Sequence, residues 1–197
     1  MTGHTRGDQT RARVLDAALQ AFAEGGLSAL SVQEIRERSG VSVGSLYHHF
    51  GSREGIVLAL YERWLLALLD HIRDAALAAL SARGLVHTMI DAYLEWVQAN
   101  PHAARFVLSA APAELDPRTS PALHEATLAR VMPLVQRAVG HAAAGEIVTL
   151  PPQYYELVVI GPVAETARRW LAGADIDLDQ ARTVLTSTVW RALAQEA

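Results

Sequence analysis

The chain has 197 residues, half of them apolar, and no cysteine, so it can bury a core but has no disulfide framework and no thiolate chemistry. Its net charge of −4 is uneven, because residues 1–53 carry +1 and the remainder carries −5. The sequence has no uncharged apolar run of about 18 residues, and its first eight residues are polar, so it predicts neither a transmembrane helix nor a signal peptide. We therefore expect a cytoplasmic protein without a membrane partner.

Apolar residues recur at three- and four-residue steps along the chain, and no period-two run is sustained. This spacing is typical of amphipathic helices, so we expect an all-α fold of about nine helices. Ser31, with Glu34 at the capping-box position, Ser52, and either Asp175 or Asp177 are predicted N-caps. The predicted helices cover about residues 10–23, 31–39, 42–48, 53–82, 85–99, 101–111, 120–139, 152–172 and 178–194.

Residues 31–50 have the pattern of two short helices joined by a turn at Gly40, which is typical of a helix-turn-helix. The second of these helices is small and hydrogen-bonding at its front, and Gly44 removes side-chain bulk there. Such a helix fits the major groove of DNA, which is about 12 Å wide. Its candidate DNA-facing residues are Ser42, Val43, Gly44, Ser45, Tyr47, His48 and His49.

The run VSVGSLYHHF at residues 41–50, followed by Ser52-Arg53-Glu54, resembles the signature of the TetR family of bacterial regulators. Two departures are Arg36 and Ser39, where the family often has alanine. The resemblance implies an N-terminal three-helix DNA-binding domain at residues 8–55, with the helix-turn-helix at 31–50. It also implies a helical effector-binding and dimerisation domain at residues 56–197.

The resemblance further assigns roles to single residues. Ser31, Tyr47 and His49 are expected to contact the DNA backbone, and Arg53 is expected to clamp a flanking phosphate. Base edges are expected to be read from the front of the third helix, by Val43, Gly44, Ser45 and His48.

The last two predicted helices have apolar stripes with many alanines, which favours a twofold dimer interface formed by helices that approach closely. The alternative is that both helices only cover the core of one protomer. The interface candidates are Tyr155, Val159, Val163, Ala167, Trp170, Val184, Leu185, Thr188, Val189 and Ala192.

Aromatic and polar residues in the predicted fourth to seventh helices are candidates for a small-molecule pocket, although core packing is the alternative for each. They are Tyr61, Trp64, His71, Tyr93, Trp96, His102, Phe106 and His124. The sequence has no metal-ligand pattern, no phosphate-binding loop and no nucleophile elbow, so we expect no metal, no cofactor and no catalytic residues.

These observations predict a sequence-specific regulator that binds a palindromic operator as a homodimer and is released from it by a small-molecule effector. A second hypothesis is a DNA-binding regulator without a small-molecule effector, gated by a protein partner or constitutive. A third is a helical interaction module that does not bind DNA. The identity of the effector and the operator sequence do not follow from the residues.

Overall fold

A computed structural model describes residues 6–109 and 120–195. Within these residues the fold is all-α, with nine α-helices, one short 3₁₀ helix at Gly26–Ala29 and no strand, as predicted. The α-helices are α1 (Arg6–Gly25), α2 (Val32–Ser39), α3 (Val43–Phe50), α4 (Arg53–Leu77), α5 (Ala82–Ala99), α6 (Pro101–Ser109), α7 (Pro121–Ala143), α8 (Pro152–Leu171) and α9 (Leu178–Leu193).

Side-chain caps fix the starts of several helices where the sequence predicts them. The Ser31 hydroxyl accepts a hydrogen bond from the Glu34 amide at 3.1 Å, and the Ser52 hydroxyl accepts one from the Gly55 amide at 3.1 Å. Asp177, rather than Asp175, caps α9 by accepting from the Gln180 amide at 3.0 Å. In a full capping box the Glu34 side chain would accept a hydrogen bond from the Ser31 amide. Here the Ser31 amide donates instead to the Ala29 carbonyl at 2.8 Å.

The boundary between α4 and α5 differs from the prediction. α4 ends at Leu77 instead of residue 82, and Gly84 lies inside α5. Two contacts account for this: the Ser81 hydroxyl caps α5 by accepting from the Gly84 amide at 3.1 Å, and the Arg137 guanidinium donates to the carbonyl of Leu77 at 3.4 Å. Arg137 comes from α7, so the end of α4 is set by a tertiary contact that local sequence does not reveal.

The first of two clusters of buried side chains supports the helix-turn-helix. Leu30, Ile35 and Leu46 are fully or almost fully buried in it, with residues from α1 and the first half of α4. It also includes Phe106 of α6 and Leu123 of α7, so this core reaches beyond residue 55. The division of the chain into domains at residues 55 and 56 therefore stays a prediction.

The second cluster fills the remainder of the protein around α5, which packs against α4, α8 and α9. Leu19 and Trp64 are half-buried and pack against both clusters, so the two cores are continuous in space. No helix within residues 6–109 and 120–195 is long and apolar enough to cross a membrane.

Candidate functional site

α2 and α3 meet at a turn that requires Gly40. This glycine has a φ of 65° and a ψ of 16°, a left-handed conformation that other residues rarely adopt. Directly after it, the Ser42 hydroxyl accepts from the Ser45 amide at 3.3 Å and starts α3. The turn therefore ends one helix and begins the next within four residues.

α3 presents one face to the core and the other to solvent. Leu46 anchors it, with its side chain 1% exposed, while Tyr47 is 49% exposed and His48 is exposed beside it. Val43 and Gly44 lie one turn earlier on the same outer face. Ser42 is also exposed, and the remaining candidates Ser45 and His49 are half-buried at the edges of this surface.

Gly44 has no structural reason to be a glycine. It lies within a helix, and a β-carbon built on it would meet no atom within 4 Å. A glycine inside a helix is destabilising by about 0.5–1 kcal/mol relative to alanine. The missing side chain leaves space outside the protein, where another molecule can approach the α3 backbone.

Arg53 makes hydrogen bonds and an ion-pair contact within the protein. Its Nε donates to the Leu30 carbonyl at 2.5 Å, and its Nη2 donates to the Leu27 carbonyl at 3.1 Å. Its Nη1 lies 3.7 Å from the Glu54 carboxylate. These contacts tie the start of α4 to the turn that precedes α2. The expected phosphate contact of Arg53 stays a prediction.

Two arginines of α1 support the helix-turn-helix, and the sequence analysis missed both. Arg11 donates from Nη1 to the His49 carbonyl at 3.1 Å, and its guanidinium lies 4.7 Å from the centre of the Phe50 ring. Arg13 donates from Nη2 to the Ser39 carbonyl at 2.6 Å. Arg11 therefore stabilises the C-terminal end of α3, and Arg13 stabilises the C-terminal end of α2. Their spacing of two residues gives no recognisable signal in the sequence.

Arg38 connects α2 to the end of α1. It donates to both carboxylate oxygens of Glu24, at 2.9 and 2.7 Å, and to Glu34 at 2.5 Å. The hydrogen bond from Arg38 lowers the pKa of Glu24. Arg11, Arg13, Arg38 and Arg53 thus all bond within the protein, and the charge of Arg38 is balanced by its ion pairs with Glu24 and Glu34.

A second candidate site is a cavity of about 240 Å³ that is lined by residues of α4 to α9. Tyr61 and Tyr93 line it, as expected for pocket residues. Most of the other lining residues are apolar. In the sequence, their spacing along each helix is the same as that of residues that face a hydrophobic core. The apolar lining residues include Leu65, Leu68, Leu69, Ile72, Leu85, Val86, Met89, Val107, Leu108, Val131, Leu134, Val135, Val159 and Ile160.

The other six pocket candidates do not line this cavity. Trp64 and Trp96 pack edge to face, with ring centres 6.3 Å apart. Phe106 is fully buried in the first core, where its ring centre lies 4.9 Å from that of Phe22. The histidines are on the surface because their positions face away from the bundle; they are His71, His102 and His124.

Half of the interface candidates face the core of the protomer. The side chains of these five are at most 5% exposed; they are Tyr155, Val159, Val163, Ala167 and Val189. Tyr155 is held there by hydrogen bonds from its hydroxyl to the Val148 carbonyl at 3.0 Å and from the Leu150 amide at 3.1 Å. Helical periodicity identifies an apolar stripe but does not say whether the stripe faces the core or a partner.

The outer faces of α8 and α9 retain the other five candidates. Val184, Thr188 and Ala192 follow one another at four-residue steps along the exposed side of α9. Leu185 and Trp170 are half-buried. The sequence analysis missed two exposed apolar residues of α8, Tyr154 and Leu157, and Leu157 is 62% exposed. We call the set Tyr154, Leu157, Val184, Thr188 and Ala192 the outer α8–α9 face.

Comparisons with known proteins agree with this geometry. Residues 14–60, which span the helix-turn-helix, match the model of bacterial regulatory proteins of the tetR family. The transcriptional repressor KstR2 of Rhodococcus jostii is 34% identical over 94 residues, which are 48% of this chain. That match spans only 46% of the length of KstR2.

Two further proteins are similar over nearly the whole chain. The transcriptional activator FasR of Mycolicibacterium smegmatis is 26% identical over 95% of this chain and 84% of its own length. The crystal structure of a TetR family transcription regulator from Marinobacter aquaeolei has a TM-score of 0.80 at 21% identity, covering 97% of this chain and 98% of that one. This likeness shows that the two proteins share a fold. Residues 14–60, with the helix-turn-helix and its exposed α3, therefore belong to the TetR family of bacterial regulatory proteins, and the chain as a whole has the fold of a TetR family transcription regulator.

Proposed function

We propose that the protein is a repressor that binds a palindromic operator as a homodimer and leaves it when a small molecule occupies the cavity. The observation that carries the effector part of this proposal is the position of Tyr61 and Val107. Both residues line the cavity, and both belong to the first core, which supports the helix-turn-helix. A ligand in the cavity therefore touches side chains on which the orientation of α2 and α3 depends.

The DNA contacts are assigned to the exposed surface of α3 and its neighbours. Val43, Gly44, Ser45 and His48 face the base edges, with Gly44 allowing the backbone to come close. Phosphates are contacted by the side chains of Ser31, Ser42, Tyr47, His49 and Arg53 and by the amides at the starts of α2 and α4. Because the first 53 residues carry a net charge of only +1, the affinity depends strongly on duplication of this surface in a dimer.

The outer α8–α9 face is the proposed dimer interface. It combines exposed apolar side chains with the small residues Thr188 and Ala192, so a second copy can approach closely. Twofold symmetry would place two copies of α3 in successive major grooves, about 34–36 Å apart. A protein that binds an operator in this way works where the chromosome is, so we place it in the cytoplasm.

The effector response is tested by filling the cavity. Val135 lines it, and Val139, one turn further along α7, is exposed outside it. A library of small molecules is screened for release of the wild-type protein from its operator in a mobility-shift assay, and the active compounds are repeated with Val135→Phe and Val139→Phe.

We expect Val135→Phe to stay bound to DNA in the presence of compounds that release the wild type and Val139→Phe. Equal release of both variants would contradict the assignment of the cavity. The absence of any releasing compound would favour a regulator without a small-molecule effector. A reporter gene behind the operator tests the sign of regulation, and repression in the absence of the compound is expected.

A further inference from the structure

The end of the cavity nearest the first core carries two phenol groups, and we call it the polar end. The lining residues of the cavity run from Tyr61 to Ile72 along α4 and from Ala82 to Tyr93 along α5, which is about 16 Å in each helix. Tyr61 lies near the start of the α4 lining and Tyr93 lies at the end of the α5 lining. Because α4 and α5 are consecutive and pack against each other, Ile72 and Ala82 lie at the opposite end. The space is therefore elongated, with phenol groups at the end nearest the first core.

The hydroxyl of Tyr93 is available to a ligand. Within the part of the chain that the structure describes, it makes no hydrogen bond, although its side chain is only 3% exposed. A phenol hydroxyl can both donate and accept a hydrogen bond, so a polar group of a ligand in the cavity can bond to it. Tyr155 also lines the cavity, but its hydroxyl is already bonded to the backbone at Val148 and Leu150.

The charges around the cavity disfavour an anion. Of its lining residues within the described ranges, only Glu156 carries a charge at neutral pH, and that charge is negative. Glu156 is exposed at the rim and forms no ion pair among the described residues. Burial raises the pKa of the Tyr93 hydroxyl, which means that the polar end also opposes negative charge. Arg168 acts on Tyr93 from outside the lining, but it is paired with Glu165.

We propose that the cavity takes an elongated, uncharged amphiphile: an apolar body along α4 and α5, with one hydroxyl or carbonyl group bonded to Tyr93. This assignment rests on the proposed function for its regulatory meaning, but binding itself can be measured without DNA. The cavity has a volume of about 240 Å³ and extends about 16 Å along α4 and α5, so it has room for a short extended hydrocarbon chain. An eight-carbon chain is therefore a suitable probe.

The test measures binding of 1-octanol and of octanoate to the full chain by isothermal titration calorimetry. The two probes have the same chain length and differ in the charge of the head group. We expect 1-octanol to bind at least about tenfold more tightly than octanoate. Equal or tighter binding of octanoate would overturn the proposal, and so would a lack of 1-octanol binding up to its solubility limit.

Tyr93→Phe tests the hydrogen bond, and Tyr154→Phe is its matched control on the protein surface. Tyr93→Phe removes an unbonded hydroxyl, so we expect the protein to stay folded and to lose between about twofold and tenfold in affinity for 1-octanol. Tyr154→Phe should bind as the wild type does. An unchanged affinity in Tyr93→Phe would overturn the role of Tyr93.

Operator release is measured separately, with 1-octanol added to the protein–DNA complex. Release together with binding supports both the ligand class and the effector-responsive function. Binding without release supports the ligand class and contradicts the proposed effector response. Release by octanoate, with no binding of 1-octanol, would contradict the ligand class and leave the effector response standing.

Discussion

At the scale of single residues, Gly44 gives the clearest separation between stability and DNA binding. A β-carbon at this position meets no protein atom, so Gly44→Ala should raise the free energy of unfolding by about 0.5–1 kcal/mol. The same methyl group would stand between the α3 backbone and the bases, so DNA affinity should fall. Chemical denaturation and fluorescence anisotropy with labelled operator measure the two effects.

Gly140→Ala is the matched control for this prediction. Gly140 also lies inside a helix, is exposed, and has no atom within 4 Å of a built β-carbon. This variant should gain similar stability and bind DNA as the wild type does. If Gly44→Ala bound DNA with unchanged affinity, close approach of the α3 backbone to DNA would be refuted.

Tyr47 and His48 are neighbours on α3 with different expected roles. Tyr47→Ala should weaken binding to all DNA sequences, because its phenol is assigned to the phosphate backbone. His48→Ala should change the preference for one base by about 1–3 kcal/mol and leave other positions unaffected. Binding to a set of operator variants with single base changes tests both. A base-specific loss in Tyr47→Ala, or a uniform loss in His48→Ala, would require the two assignments to be exchanged.

At the scale of elements, arginines hold the helices of the DNA-binding unit in place. The salt dependence of DNA binding distinguishes an arginine that only stabilises the fold from one that also contacts a phosphate. Arg11 bonds to the end of α3 and stacks on Phe50, so Arg11→Met should lower the free energy of unfolding by about 1 kcal/mol and weaken DNA binding. Since Arg11 is not assigned to a phosphate, the slope of log K against log salt concentration should not change.

Arg53→Ala should behave differently in the same titration. If Arg53 also contacts a phosphate, its loss reduces the magnitude of the salt slope by about 0.9 for each protomer. An unchanged slope would leave Arg53 with only the structural role seen in its bonds to Leu27 and Leu30.

The sequence predicts most of the elements because many of their limits are set locally. Ser31, Ser52 and Asp177 cap helices through bonds to residues two or three positions ahead, which a sequence pattern can reveal. The end of α4 depends instead on Arg137, 60 residues away from Leu77, and was misplaced. Phe106 was assigned to a pocket, although it packs against Phe22 of α1. Such errors follow from contacts between distant parts of the chain.

The two candidate sites differ in how far the sequence reveals them. Most of the candidate DNA-contacting residues lie in or next to α3, so their exposure follows from one helical periodicity. The cavity is formed by single faces of six helices, and its apolar lining has the composition of a core. Only Tyr61 and Tyr93 were anticipated, because residue type indicates a pocket residue only when the helix face is also known.

At the scale of the whole molecule, the outer α8–α9 face should hold two copies together. Leu157→Arg and Val184→Arg place a charge on this face, so each should shift the protein from dimer to monomer in analytical ultracentrifugation and reduce operator affinity. Leu80→Arg is the control, because Leu80 is 94% exposed between α4 and α5 and is not one of the residues of this face. A stable dimer in both face variants would place the interface elsewhere.

Selection of genomic DNA fragments by the purified protein, followed by sequencing, tests the central claim that α3 reads DNA. We expect enrichment of a palindromic site whose half-sites are centred about 34–36 Å apart, and loss of this enrichment in Gly44→Ala but not in Gly140→Ala. Enrichment of no sequence above the input, or equal enrichment by both glycine variants, would contradict the claim.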